Sequence, residues 1–246
     1  TGAEIFPIDI GIAVDTKLEN HKIAYGTKNM AKEPAMTREE AEKAMEVGIE
    51  KVRELSGQGY KIIATGEMGI GNTTTSSALA SYFLQEDVEK MTGRGAGLTS
   101  KALEKKIAVV RKAIADYSPV FTDAIDALAA LGGFDIAGMA GVFLGGAIYR
   151  VPIVMDGFIS STAALTATRI CPACKDFIMA SHVSKEPAAE KILAAMDKEA
   201  ALHCDMCLGE GTGAVTLFPI LDLATQIYEQ MSTFEDIEID AYVELK

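Results

Sequence analysis

Short apolar runs bounded by glycine alternate along this chain with longer segments of helical period, and that alternation restricts the fold more than any other feature. The runs fall at 5–14 (IFPIDIGIAV), 60–65 (YKIIAT), 151–157 (VPIVMDG) and 176–182 (DFIMASH). Strands of a parallel sheet are covered on both faces and so read as nearly continuous apolar stretches of this kind. Between them, Thr37-Arg-Glu-Glu40 is a capping box that opens a helix through about Leu55, with Ala41, Ala44, Val47 and Val52 on one side. Asn72 or Thr73 starts the next helix, and others are expected at about 99–116, 121–131, 134–148, 159–170, 187–196 and 212–231. The expected class is α/β, with a parallel sheet between two layers of helices. Ligands of such sheets sit at the carboxyl ends of the strands. That brings GEMGIGNTTT (66–75), MDGF, ASHVS and LGEGTGA (208–214) to one rim.

The bulk numbers exclude several classes of function. The 246 residues suffice for one sizeable core, and 49% hydrophobic with 24% charged residues is ordinary for a soluble globular domain. No run reaches the ~18 apolar residues of a membrane span, and the start lacks the basic region and cleavage site of a signal peptide. A formal charge of −12 argues against duplex nucleic acid and against an anionic membrane. The two CxxC pairs, Cys171/Cys174 and Cys204/Cys207, invite zinc. The first pair ends a helix at a proline turn, and the second is expected on a short strand whose alternation would splay its thiols. Reduced cysteines, and hence a cytoplasmic protein without a metal, are expected instead.

The glycine loops carry the chemistry. GEMGIGNT has the spacing of a Walker loop with Asn72 in place of the lysine, so a nucleoside triphosphatase is not expected. The dinucleotide pattern also fails, because Thr74 stands where the third glycine belongs. Tight strand-to-helix turns alone would explain one such loop. Three of them, counting Gly93–Gly97 and Gly209–Gly213, with Glu67 and Glu210 beside glycines at one rim, look like an anion cradle with paired carboxylates. His182 ends a strand and is either a general base or a positioned core histidine. Lys105 and Lys106 lie early on a helix, where one could reach the anion.

GEMGIGNTTTSSA, GRGAGL followed by KKIAVV, ALGGFDIAGMAG, VPIVMDGFISSTAAL, ASHVSKEPA and LGEGTGAVTLFPILD together resemble the nicotinate-nucleotide–dimethylbenzimidazole phosphoribosyltransferase family, in order and over nearly the whole chain. The resemblance implies a Rossmann-like sheet with part of a small helical domain. Residues 1–246 would form one phosphoribosyltransferase domain, with C-terminal helices at about 214–246 contributing to the small part, in a homodimer. It implies transfer of 5-phosphoribosyl from nicotinate mononucleotide to 5,6-dimethylbenzimidazole or a related base, without cofactor or metal. Glu210 would be the catalytic base and Glu67 its partner. Gly69, Gly95, Lys106 and Ser184 would contact phosphate and ribose, with Gly71, Asn72, Thr73, Asp156 and Gly211 in the same nucleotide site. Leu208 and Gly209 would face the base.

Two departures accompany the resemblance. The family's N-terminal third has no counterpart here, so the acceptor pocket is expected to lack one wall and the 246 residues alone to transfer little. Cys207 also stands where an arginine often precedes LGEG. The alternative class is a non-catalytic nucleotide-binding subunit, against which both glutamates stand. A nucleosidase using water as acceptor is a further one.

Overall fold

The computed structural model describes residues 1–240 and Val243. Its first elements, β1 (Ile8–Asp9) and β2 (Glu19–Asn20), form a small parallel pair. Helices α1 (Arg38–Gly57), α2 (Asn72–Leu84), α3 (Val88–Met91), α4 (Ser100–Tyr117), α5 (Ala124–Leu131) and α6 (Phe134–Tyr149) follow, with β3 (Ile63–Ala64) between α1 and α2. Then come β4 (Ile153–Met155), α7 (Phe158–Ile170), β5 (Ile178–Ala180), α8 (Ala189–Ala195) and α9 (Thr212–Gln230). The main sheet has the order β3-β4-β5, all parallel, with Ile63, Ile153 and Ile178 in register.

Alternation along these strands separates two apolar layers, as the period of two requires. Ile153 and Met155 join the main core under the helices α1 to α8, whereas Val154 points to the other face against Ala214 and Leu217 of α9. The α/β class with helices on both faces is therefore what the chain forms. Helix α1 begins where the capping box placed it: Thr37 accepts from the Glu40 amide while Glu40 accepts from that of Thr37. Helices α1 and α6 pack so closely that a Cβ on Gly141 would lie 2.0 Å from the Met45 carbonyl oxygen. Among the described residues no helix is long and apolar enough to cross a membrane.

The expected strand at 5–14 is the largest error. Only two of its residues pair, and Ile5, Phe6, Ile12 and Val14 are exposed. Asp9 breaks the strand: its buried carboxylate accepts from the Ile12 amide, the Thr16 hydroxyl and the Lys22 ammonium. Those bonds pull the chain out of the ladder after two residue pairs, and the Lys22 hydrogen bond holds the Asp9 carboxyl down at about 2. Expected strands at 60–65, 151–157 and 176–182 exist but are shorter. Helix α9 ends at Gln230, and residues 231–240 form turns, where Thr233 and Asp236 bond to each other's backbone amides. The expected helical region to 246 reaches residues 241, 242 and 244–246, which lie outside the described residues.

Candidate functional site

Among the described residues, four helices have side-chain caps, from Thr37 on α1, Asp87 on α3, Thr99 on α4 and Asp123 on α5, while α6 and α8 begin without one at Gly133 and Ala188. At the rim, α2, α7 and α9 begin at Gly71, Gly157 and Gly211, with no side-chain cap. The N-termini of α2 and α7 thus present N–H groups and a positive dipole end, the elements of an anion site, whereas the Gly211 and Ala214 amides at the start of α9 are taken by the Asp156 carboxylate. The loops before α2 and α9 meet backbone to backbone, since a Cβ on Gly66 would lie 2.7 Å from the Gly211 nitrogen.

Glu67 stands where these loops meet. Its carboxylate accepts from the Gly69 amide at 2.8 Å and from Asn72 Nδ2 at 2.5 Å. The same Asn72 nitrogen donates to Asp135 Oδ2 at 2.9 Å, so one amide bridges two carboxylates. Burial pushes the Glu67 carboxyl up, Asp135 and Asp156 add to the rise, and the Gly69 and Asn72 bonds oppose it. Gly69 has room for no side chain, because a Cβ there would meet Asn72 Nδ2 and Asp135 Oδ2, each at 2.4 Å. Across the gap, a Cβ on Gly209 would lie 3.7 Å from Glu67 Oε1. Leu208 beside it is 70% exposed, and Met68 and Ile70 also stand in solvent.

Glu210 follows in a backbone run that stays left-handed for three residues, with φ of 83°, 59° and 77° at Gly209, Glu210 and Gly211. For a glutamate that conformation costs free energy, and such outliers concentrate at functional sites. Its side chain is exposed, with no hydrogen-bond or ion-pair partner among the described residues. Asp156 holds the loop from below: its two carboxylate oxygens accept from the Gly211 amide at 3.0 Å and the Ala214 amide at 3.1 Å. Asp156, expected in the nucleotide site, is buried with both carboxylate oxygens on these backbone amides. His182 is buried beside it, its Nδ1 3.0 Å from Ser181 Oγ and 4.0 Å from Asp156 Oδ1. Burial pushes this imidazole down. Gly213 admits it only by lacking a side chain, a Cβ there being 2.0 Å from Nδ1. Of its two alternatives, the positioned core histidine matches this geometry.

The cationic end lies on the other side of α2. Lys106 is 6% exposed, and its Nζ donates to Thr73 Oγ1 and to the Gly93 carbonyl, both at 3.0 Å. Burial lowers its pKa while Glu186 nearby opposes the shift. A Cβ on Gly95 would meet Thr73 Oγ1 at 2.8 Å, so Gly95 belongs to the same group. Ser184 lies past β5 beside Gly157, whose Cβ would be 3.8 Å from the serine Cβ. Asn72 and Thr73, adjacent at the start of α2, thus tie the carboxylate end to the cationic end. Lys105, the other early lysine of α4, is exposed.

The structure brings Glu67, Gly69, Asn72, Gly209 and Gly211 together, and separately Thr73, Gly95 and Lys106. Sequence reasoning missed Asp135, which shares Asn72 with Glu67; the glycine pair of GGFD before α6 was the available signal. The second cysteine pair is not on a strand. Only Leu202 pairs there, bridging His182, and Cys204 and Cys207 lie in an exposed loop. All four thiols are free, and the described residues contain no cluster suited to a metal ion.

Comparison with known proteins gives one family. A family model described as phosphoribosyltransferase matches residues 1–239. The chain is 53% identical to a nicotinate-nucleotide–dimethylbenzimidazole phosphoribosyltransferase of Clostridium acetobutylicum, over 100% of this chain and 70% of that protein. The enzyme of the same name from Acetivibrio thermocellus is 50% identical over 98% of this chain and 70% of its own length. A crystal structure of CobT from Thermus thermophilus superposes with a TM-score of 0.90 at 36% identity, covering 95% of this chain and 71% of that one.

Proposed function

Since the chain belongs to the phosphoribosyltransferase family, we propose that it transfers the 5-phosphoribosyl group of nicotinate mononucleotide to 5,6-dimethylbenzimidazole or a related base. The products are nicotinate and α-ribazole 5′-phosphate, for the nucleotide loop of cobalamin. The acceptor nitrogen attacks the anomeric carbon, the bond to the pyridinium nitrogen breaks with its electron pair going to nicotinate, and the configuration inverts. The benzimidazole N–H proton leaves to Glu210. Glu67 faces the positive charge that develops on the ribosyl centre, where a carboxylate held by fixed donors needs no reorganisation. The leaving group is already cationic, so its departure produces a neutral pyridine ring and no new negative charge.

The single observation that carries this proposal is the pair Glu67 and Glu210 on touching loops, one half-buried and bonded, the other free in a left-handed turn. Lys106, with Thr73 and Gly95 and the α2 N-terminus, supplies a cationic site for the phosphate. Gly71 and Gly211 open the helices concerned, Ser184 stands beside Gly157, and Leu208 with Gly209 offers apolar surface to the base. Asp156 acts through the loop it holds. The active form is a homodimer in this proposal, supported by Ile220, Leu223, Ile227 and Tyr228 of α9, which stand exposed on this chain. We place it in the cytoplasm on its four free thiols.

Nicotinate release from nicotinate mononucleotide, with and without dimethylbenzimidazole, tests the proposal. Base-dependent release with formation of the α-riboside phosphate is expected. Release without added base, giving ribose 5-phosphate, would make the protein a nucleosidase instead. Binding without release would make it a non-catalytic subunit.

A further inference from the structure

Beside Lys106 a cleft of about 370 Å³ is lined by Thr92, Gly93, Arg94, Gly95, Lys185 and Glu186, among others. Two polar atoms of these residues, Thr92 Oγ1 and Glu186 Oε2, are buried without any hydrogen-bond partner among the described residues. Thr92 as a whole is 4% exposed. Buried polar atoms in folded proteins nearly always have partners, so two orphans in one cleft wall point to a ligand that supplies them.

The cations around Glu186 do not supply them. Lys106 spends its Nζ on Thr73 and the Gly93 carbonyl and makes no ion pair with Glu186. The Arg94 guanidinium donates to the Leu98 carbonyl at 2.7 Å and to Ser100 Oγ at 3.1 Å. Lys185 is exposed, its Nζ 3.6 Å from Asp205. The carboxylate nevertheless has a fixed seat: it rests on Gly93, where a Cβ would come within 1.9 Å of Oε2. Any side chain at position 93 would displace it.

An ionised carboxylate only accepts hydrogen bonds, and it repels a phosphate. The group that meets Glu186 must therefore be a neutral donor, on a molecule whose anionic part lies at Lys106. A hydroxyl of a pentose phosphate has that chemistry. We propose that Glu186, with Thr92, holds the ribose hydroxyls of the nucleotide while Lys106 holds its phosphate. The proposal rests on the donor substrate named above, and it makes Glu186 a specificity residue for ribose over deoxyribose.

The test compares kcat/KM for nicotinate mononucleotide and its 2′-deoxy and 3′-deoxy analogues in the wild type, Glu186→Gln and Glu186→Ala. The wild type is expected to lose roughly 10- to 100-fold on at least one analogue, the range for a hydrogen bond to a charged group. Glu186→Ala loses a similar factor on the natural substrate, mainly through KM, and nothing further on that analogue. Glu186→Gln, which keeps the shape and one acceptor oxygen, recovers part of the loss. An equal loss on all three substrates, or none on any, overturns the proposal. Calorimetry with ribose 5-phosphate and 2-deoxyribose 5-phosphate reads the same contact without turnover. If the wild type releases no nicotinate, the reaction assigned above fails. The proposal about Glu186 then stands only if Glu186→Gln weakens ribose 5-phosphate more than its deoxy analogue.

Discussion

Replacing Glu210 by glycine separates a catalytic carboxylate from a structural one. Glu210 sits at φ 59° between two glycines in the same region, so the native backbone carries a cost of about 1–2 kcal/mol for a side chain there. Glycine removes that cost and adds about 0.5–1 kcal/mol of unfolded-state entropy. The net expectation is a gain of roughly 0–1.5 kcal/mol, which for a chain of this size raises the melting temperature by about 0–6 °C. Loss of stability is not expected, because the carboxylate has no partner among the described residues and the first amides of α9 are held by Asp156. Loss of a general base lowers turnover by roughly 10²–10⁴-fold. Glu210→Gly and Glu210→Gln should therefore both lose nicotinate release by that factor, the glycine variant melting at or above the wild type and the glutamine variant with it. Thermal melts and a nicotinate-release assay on the same preparations decide the matter. A variant that melts several degrees lower with its turnover intact would show that Glu210 is a structural turn residue and that the proton goes elsewhere.

Three further substitutions probe other parts of the site. Burial raises the Glu67 carboxyl, so the folded protein keeps that proton to higher pH than the unfolded chain, and stability is lost as pH rises from the ordinary carboxylate range through the folded value. Glu67→Gln should accordingly melt above the wild type at about pH 7, lose that margin near about pH 4, and release nicotinate at least about 100-fold more slowly; a margin independent of pH would refute the cause assigned to the shift. Lys106→Met should weaken nicotinate mononucleotide while leaving nicotinate riboside, which lacks the phosphate, nearly unchanged in competition assays. Equal losses for both would make Lys106 a structural residue. Gly141→Ala should destabilise the protein by about 1–3 kcal/mol, because its Cβ would lie 2.0 Å from the Met45 carbonyl oxygen across the α1–α6 contact. A denaturation midpoint unchanged from the wild type would mean that the two helices separate freely.

Legibility in the sequence followed the range of the forces involved. Helices were readable to within a few residues because their caps and periods are local: Thr37 and Glu40 specify the start of α1 whatever surrounds them. Strands were overread because pairing is decided at a distance. Residues 5–14 have the apolar content of a strand, yet a lysine 13 residues beyond Asp9 claims its carboxylate and bends the run away. The same limit hid Asp135, whose role depends on Asn72, 63 residues earlier in the chain. It also hid the partners of Asp156, since a carboxylate at a strand end looks the same in sequence whether or not the amides of a distant loop bind it.

The placement of these carboxylates bears on how so acidic a chain can build the anion site proposed for it. At the rim, Asp156 and Asp135 are turned inward, one onto backbone amides of the α9 loop and the other onto the Asn72 side chain. The glycine caps of α2 and α7 leave helix N-termini open where side-chain caps would have closed them. Lys106 adds a buried cation, which burial keeps from being screened. The net charge of −12 therefore says little about the ligand, because backbone dipoles and one buried ammonium set the local field. The surrounding negative charge instead opposes binding of anions elsewhere on the surface.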